Sequence, residues 1–433
     1  MQDEETKRPL IDDGKQSTCS SITRKRLRNF AVVGSLCAAT LLANVTFSII
    51  APFYPQRARA IKDDGPADTE VGLVYGTFAF VAFLSAPILG NHVTLISPKF
   101  MLQAGVFLVG GSSVLFGALA YVNEWAPFLG LSLACAAVQG LGSAAVVTAS
   151  WTIVLTEFPD RVSTFVGLLE LMEGLGYTIG PSVGGGLYAV KGFALPLYFV
   201  GSLLLLSLIG IVLILPKIEV SRDASNISML KLLRNFWIWM DLGSLMLNIG
   251  VYALFEVVAG TFLWDAFDMP PNQIGLIFLG SSGSYMLTSL LSGYLADKYG
   301  EKKFIIYGLI VGGVSFLFVA PSSLFTFIPS QKLWVFCLAL MIHCMAIGFS
   351  FAPIVGDMVN CAVAMGYEEG IELNGVLSGL AASFVSLGCV IGPLLGGSLT
   401  ARMNFRWSST IFGLWQASHG YIYLVTALCF RKI

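Results

Sequence analysis

Charge is what this chain lacks. Asp, Glu, Lys and Arg make up only 12% of its 433 residues, 56% are hydrophobic, and the mean hydropathy is +0.78. Soluble globular chains carry about 25% charged residues. So few charges cannot cover the surface of the two or three soluble domains this length would allow, and a polytopic membrane protein is expected. A net charge of −1 excludes the strongly basic surface that nucleic acid requires. The eight cysteines are scattered, mostly within apolar runs. They form no ligand cluster, so they read as small packing residues, and neither metal nor cofactor is expected. No nucleophile–base pair or phosphate-cradling loop stands out, which argues against an enzyme. No cleavable signal peptide is visible: residues 1–28 are polar, and the first apolar run is long enough to span.

Present instead are twelve apolar stretches, near 29–54, 70–92, 99–122, 126–156, 162–190, 194–215, 234–264, 272–296, 302–321, 332–358, 373–400 and 408–430. A spanning helix needs about 20 mostly apolar residues, and each stretch approaches or exceeds that. The polar segment 216–233 divides them six and six. The expected fold is an all-α membrane protein with twelve transmembrane helices in two six-helix halves, 29–215 and 234–430, joined by a cytoplasmic linker. Residues 1–28 are expected to be a disordered cytoplasmic tail, within which Leu10-Ile11 resembles a dileucine sorting signal. With the amino terminus in the cytoplasm, cytoplasmic segments hold 18 Lys and Arg and the opposite segments seven. Positive charge concentrates on the cytoplasmic side, so both termini are expected there.

The halves share a phrase. Residues 175–185 read LGYTIGPSVGG and residues 387–397 read LGCVIGPLLGG, with seven of eleven positions identical. Gly176, Gly180, Pro181 and Gly184, and in the second copy Gly392 and Pro393, point to close helix contacts and a bend that helps close one face of a pathway. Two related apolar halves of this kind suggest a secondary transporter in which solute passes between them. Between the eighth and ninth spans, GYLADKYGEKK (293–303) offers a short turn at Gly293 and an expected charge network of Asp297 with Lys298 and Lys303. Its first-half counterpart keeps Gly90 and Lys99 but has no acid.

Charges inside spans are costly and mark solute pathways. Glu170 and Glu173 lie three residues apart and so share one helix face, where two carboxylates can share a proton or hold a dication. Glu256 lies deep in the seventh span, and Asp357 lies toward the cytoplasmic end of the tenth. Against a pathway role stands a packing hydrogen bond by a protonated acid. Asn44 either lines the pathway or bonds across helices. Asp241 reads as an interfacial helix-end charge, and His343 as a packing residue. Acids without matching bases favour an organic cation exchanged for protons.

These residues resemble the major facilitator superfamily. GxxxGPxxGG is similar to its antiporter motif, residues 293–303 to its loop signature, and QGLGSA (139–144) to a further motif whose arginine is here Ala136. APFYPQRA (51–58), TASWTIVLTEFP (148–159), GLLELMEGLGYTIGPSVGGGLY (167–188) and GYEEGIELNGVLSGL (366–380) resemble the vesicular amine transporter family, closest to its polyamine branch. The resemblance implies the major facilitator fold and proton-coupled antiport of organic cations into acidic vesicles. It also implies cation or proton binding at Glu170, Glu256 and Asp357, where that branch carries acids. Ala43 stands where monoamine-transporting relatives carry a carboxylate, and near Ala382 in span eleven, where they carry another, this chain has none, which favours polyamines. Glu173 is not supplied by the resemblance. Expected partners are therefore a small organic cation, protons and lipid, with a monomer in an intracellular vesicle or endolysosomal membrane. Two competing readings are a carrier for another amine or zwitterion, and a non-transporting receptor on the same fold.

Overall fold

A computed structural model describes residues 13–62, 68–215, 227–325 and 332–430. Twelve long helices dominate: α1 (Asp13–Ser48), α2 (Asp68–Asn91), α3 (Pro98–Ala118), α4 (Trp125–Glu157), α5 (Val162–Lys191), α6 (Ala194–Ile214), α7 (Phe236–Phe267), α8 (Pro271–Tyr299), α9 (Glu301–Val319), α10 (Leu333–Ala364), α11 (Ile371–Met403) and α12 (Phe405–Cys429). Short helical turns fill several connections, and no strand occurs among the described residues. Ten of the twelve are long and apolar enough to cross a bilayer. The exceptions are α5, which carries two glutamates among its glycines, and α12, which carries Gln416 and His419. The observed fold is an all-α membrane architecture of twelve long helices in two six-helix halves.

The amino-terminal boundary differs from expectation. Helix α1 starts at Asp13, so residues 13–28 extend the first span instead of forming a separate tail. Prolonging a helix that is already nucleated costs far less than starting one, and Arg28 anchors this end by an ion pair to Glu157 at 2.6 Å. Leu10-Ile11 lies outside the described residues, as does 216–226 of the linker. The rest of the linker contains the short helix Met229–Leu233, which buries Leu232 completely.

One end of the bundle holds the starts of α3, α5, α9 and α11 and the ends of α4, α8 and α10, with Lys99, Arg161, Lys298 and Lys302 among them. We call it the basic end. The apolar interior is arranged asymmetrically. A single core at the basic end draws residues from both halves, from Val32 and Val154 to Ile354 and Leu380. Toward the opposite end there are two separate cores, one within 45–200 and one within 251–412. The halves are thus fused at the basic end and parted at the other. Burial of shared apolar surface is non-directional and proportional to area, so it holds this end shut without any single lock.

The glycine phrase works within each half. At spacing i, i+4, i+8 it presents a stripe on α5 to α1. A Cβ on Gly176 would lie 2.7 Å from Asn44 Cβ, one on Gly180 1.9 Å from Ser48 Oγ, and one on Gly184 2.4 Å from the Ile49 carbonyl. The second copy repeats this on α11 against α7: Gly388 meets Met246, Gly392 meets Gly250 and Gly396 meets Leu254. Only a residue without a side chain allows so close an approach. Pro181 and Pro393 lie within their helices, both of which run on unbroken.

Candidate functional site

The gap between the halves opens away from the basic end, and its floor lies near the middle of α5 and α8. Glu170 of α5 is 3% exposed and accepts a hydrogen bond from Tyr285 Oη of α8 at 2.6 Å. One turn further from the basic end, Glu173 lies on the same face of α5, half-buried. Glu256 of α7 is exposed to the gap. Around these acids stand aromatic rings from both halves. Tyr75, Tyr177 and Tyr252 interact electrostatically with Glu256, and Tyr177 interacts with Glu173 as well. Phe47 of α1 meets Tyr75 and Tyr177 edge-on, each at 5.9 Å between ring centroids. Tyr252 Oη lies 3.5 Å from Ser282 Oγ of α8. Cys389 of α11 faces Glu173, Glu256 and Tyr177.

Tyr177 and Cys389 occupy the same position in the two copies of the repeated phrase. The shared glycines build the scaffold on one face of α5 and α11. Of the four positions where the copies differ, this one faces the gap. Three carboxylates and a ring of π faces, with no Lys or Arg among the groups named here, favour a desolvated cation in which charge is met by the acids and the methylene or ammonium surface by the rings.

The expected site residues divide into two places. Glu170, Glu173 and Glu256 come together at the gap. Asn44 lies beside it in α1, where its Nδ2 donates to the Thr40 carbonyl at 2.9 Å and its Cβ packs on Gly176. Asp357 is elsewhere. It pairs with Lys302 of α9 near the basic end and accepts from Tyr423 Oη at 3.0 Å. The same single O–H also lies 2.7 Å from Asp241 Oδ1, so Tyr423 is shared between the two carboxyl groups. Asp241 is fully buried, which corrects the reading of an interfacial charge. The Lys302 ammonium also lies over Trp237 at 5.1 Å, closing the cluster. His343 is a packing residue, with Nδ1 against the Gly312 carbonyl at 2.9 Å and its ring on Phe316.

The basic-end gate also differs from expectation. Asp297 does not form a network with Lys298 and Lys303. Its carboxylate instead crosses to the other half and accepts the backbone N–H groups of Ser163 and Thr164, at 2.9 and 2.8 Å. These are orphan donors at the start of α5, and the positive end of a helix dipole favours an anion there. Lys298 lies over the Tyr299 ring instead, at 5.1 Å, and Lys303 is exposed. Gly293 permits the approach, since a Cβ there would lie 2.1 Å from the Ser163 carbonyl. The weaker first-half copy does the same without an acid: Gly90 packs on the Gly375 carbonyl of α11. Its Lys99 turns to the α6 end, donating to the Val212 carbonyl at 3.1 Å. Among the described residues, the other hydrogen bonds between the halves also lie between this gate and the site floor: Asn374–Thr156, Ser383–Phe83 and Ser289–Gly167.

Sequence reasoning missed Tyr75, Tyr177, Tyr252, Tyr285 and Cys389. Tyr177 and Cys389 were marked by their mismatch in the repeat, and Tyr252 by its i, i+4 spacing to Glu256. Nothing local distinguishes Tyr75 or Tyr285 from a packing or interface aromatic.

The family model described as Major Facilitator Superfamily matches residues 36–255 and again 241–418. The rat MFS-type transporter SLC18B1 is 33% identical over 93% of this chain and 88% of its own. Its human counterpart is 32% identical over 90% and 84%. The mouse synaptic vesicular amine transporter is 24% identical over 87% of this chain and 69% of its own. Among solved structures, that of the human organic anion transporter MFSD10 (TETRAN) superposes with a TM-score of 0.72 at 17% identity, over 91% of this chain and 99% of that one.

Proposed function

This chain belongs to the major facilitator superfamily, within it to the vesicular amine transporter family, and we propose that it is a proton-coupled antiporter of organic cations. It is a multi-pass membrane transporter and not an enzyme. The proposed substrates are polyamines, carried across an intracellular vesicle membrane. One observation carries the reading: Glu170, Glu173 and Glu256 meet at the gap between the halves, ringed by tyrosines of both.

The basic end is taken as cytoplasmic, from the distribution of Lys and Arg. The state described is then closed to the cytoplasm and open to the lumen. A polyamine is a chain of ammonium groups separated by methylenes, and carboxylates on both sides of the gap suit more than one ammonium. Protons arriving from an acidic lumen compete for the same carboxylates and release the amine. Rearrangement then exposes the site to the cytoplasm, where protons leave and the amine binds. Exclusive occupancy of one site couples the two movements, and each tenfold difference in affinity between states contributes about 1.4 kcal/mol. Asp357, tied to Lys302, serves the second half as a charge network near the gate.

Competition decides the substrate. Purified protein in proteoliposomes is given labelled spermidine and excess unlabelled spermine, serotonin or a zwitterionic amino acid. Spermine is expected to abolish labelled uptake and serotonin to leave most of it. Equal competition by the monoamine points to a broader amine carrier.

A further inference from the structure

A second acidic site lies outside the transport gap. Between the halves at the basic end is a pocket of about 190 Å³. Its polar lining is Asp160 from the first half and Asp297, Glu301, Asn360, Glu369 and Asn374 from the second, and no Lys, Arg or His contributes to it. Lys302 is adjacent in sequence to Glu301 but is committed to Asp357. Both Asp297 oxygens are engaged by the start of α5, so Asp297 contributes charge while Asp160, Glu301 and Glu369 retain ligand capacity.

An independent observation indicates what the pocket takes. Asn374 is 4% exposed. Its Nδ2 donates to Thr156 Oγ1 across the gate at 3.2 Å, which fixes the orientation of the amide. Its Oδ1 is buried and has no hydrogen-bond partner. A buried carbonyl oxygen without a donor is costly and calls for a cation or a donor. Carboxylates with an amide oxygen, and neither sulfur nor imidazole, form the donor set of a hard divalent cation. A cavity needs only about 10–15 Å³ of such space to hold one water, so the pocket has room for several, which suits an ion that keeps part of its hydration.

We propose that this pocket binds a hard divalent cation such as Mg²⁺, and that the bound ion stabilises the state closed at the basic end. Asp160 moves with one half and Glu301, Glu369 and Asn374 with the other, so the site exists only while this gate is shut. A ligand that binds one state alone shifts the population toward it. If the basic end is cytoplasmic, as the proposed function holds, cytosolic Mg²⁺ is a brake on the inward opening of the carrier.

The test uses the purified full chain in detergent and needs no transport, so its outcome is separable from that of the antiport reading. Mg²⁺ and Ca²⁺ are titrated with NaCl holding ionic strength constant, and the melting temperature is followed. A saturable rise is expected, with a midpoint near the 10⁻⁴–10⁻³ M of weak oxygen-ligand sites. Asp160→Asn and Glu369→Gln, both at exposed positions and so little at risk of misfolding, are each expected to raise the midpoint about tenfold. A rise reproduced by NaCl alone, or a midpoint unmoved in both variants, overturns the proposal. A rise produced by spermidine and by neither metal also overturns it, in favour of an amine site.

Discussion

Glu170 and Tyr285 belong to different halves of the molecule and share a hydrogen bond of 2.6 Å. The acid at the floor of the gap is therefore also a latch between α5 and α8. A typical intramolecular hydrogen bond contributes about 0.5–1.5 kcal/mol net. Tyr285→Phe should shift the balance away from the basic-end-closed state by roughly two- to tenfold. A disulfide reporter at Thr156→Cys and Asn374→Cys, whose parent side chains touch across the gate, should cross-link less completely when Tyr285→Phe is added. Unchanged cross-linking means that the bond does not hold the gate.

The repeated phrase ends in two glycines that look alike in sequence and differ in space. A Cβ on Gly184 would meet the Ile49 carbonyl at 2.4 Å, while one on Gly185 would meet nothing within 4 Å. Gly184→Ala is expected to cost about 1–3 kcal/mol through overpacking and to lower the melting temperature. Gly185→Ala should melt like the parent. Equal behaviour of the two would remove the close α1–α5 packing from the account.

Lys302 and Asp357 form a pair whose side chains are 12% and 4% exposed. Breaking a buried pair from one side leaves a charge without a partner, at about 3–5 kcal/mol. Lys302→Met and Asp357→Asn should each destabilise strongly in thermal melts, whereas the double variant should recover much of the loss. If the double variant is as unstable as the sum of the singles, the pair is not coupled.

Cys389 faces the acids of the gap and is half-buried. A cationic thiol reagent supplied from the open side should modify it and inhibit uptake, with the amine substrate protecting. Cys389→Ser should resist inhibition. Inhibition that persists in Cys389→Ser assigns the effect to another cysteine and removes Cys389 from the substrate path.

Much of this was legible beforehand. The twelve spans and the division into halves follow from hydropathy, because a bilayer demands long apolar runs. The pairing of Glu170 with Glu173 follows from helix periodicity. Other features depended on tertiary geometry. Asp297 sits in a charged loop, and its neighbours in sequence suggested Lys298 and Lys303; its partners are backbone amides 133 and 134 positions away in the other half. Asp241 seemed interfacial because it lies near a helix start, yet Tyr423 of α12 covers it. Asp357 was grouped with the gap acids by its charge within a span and by the family resemblance, and Lys302 on the neighbouring α9 draws it aside. The tyrosines of the gap carry no signal that separates them from aromatics facing lipid.

The central claim is that amine and proton compete for the Glu170 site. The direct measurement is uptake of labelled spermidine into proteoliposomes with an imposed acidic interior, by the parent chain and by Glu170→Gln incorporated in equal amounts. The parent should accumulate spermidine, and collapsing the pH gradient should abolish the accumulation. Glu170→Gln should lose gradient-driven accumulation while remaining folded and inserted. Uptake that ignores the gradient, or parental accumulation by Glu170→Gln, contradicts the account.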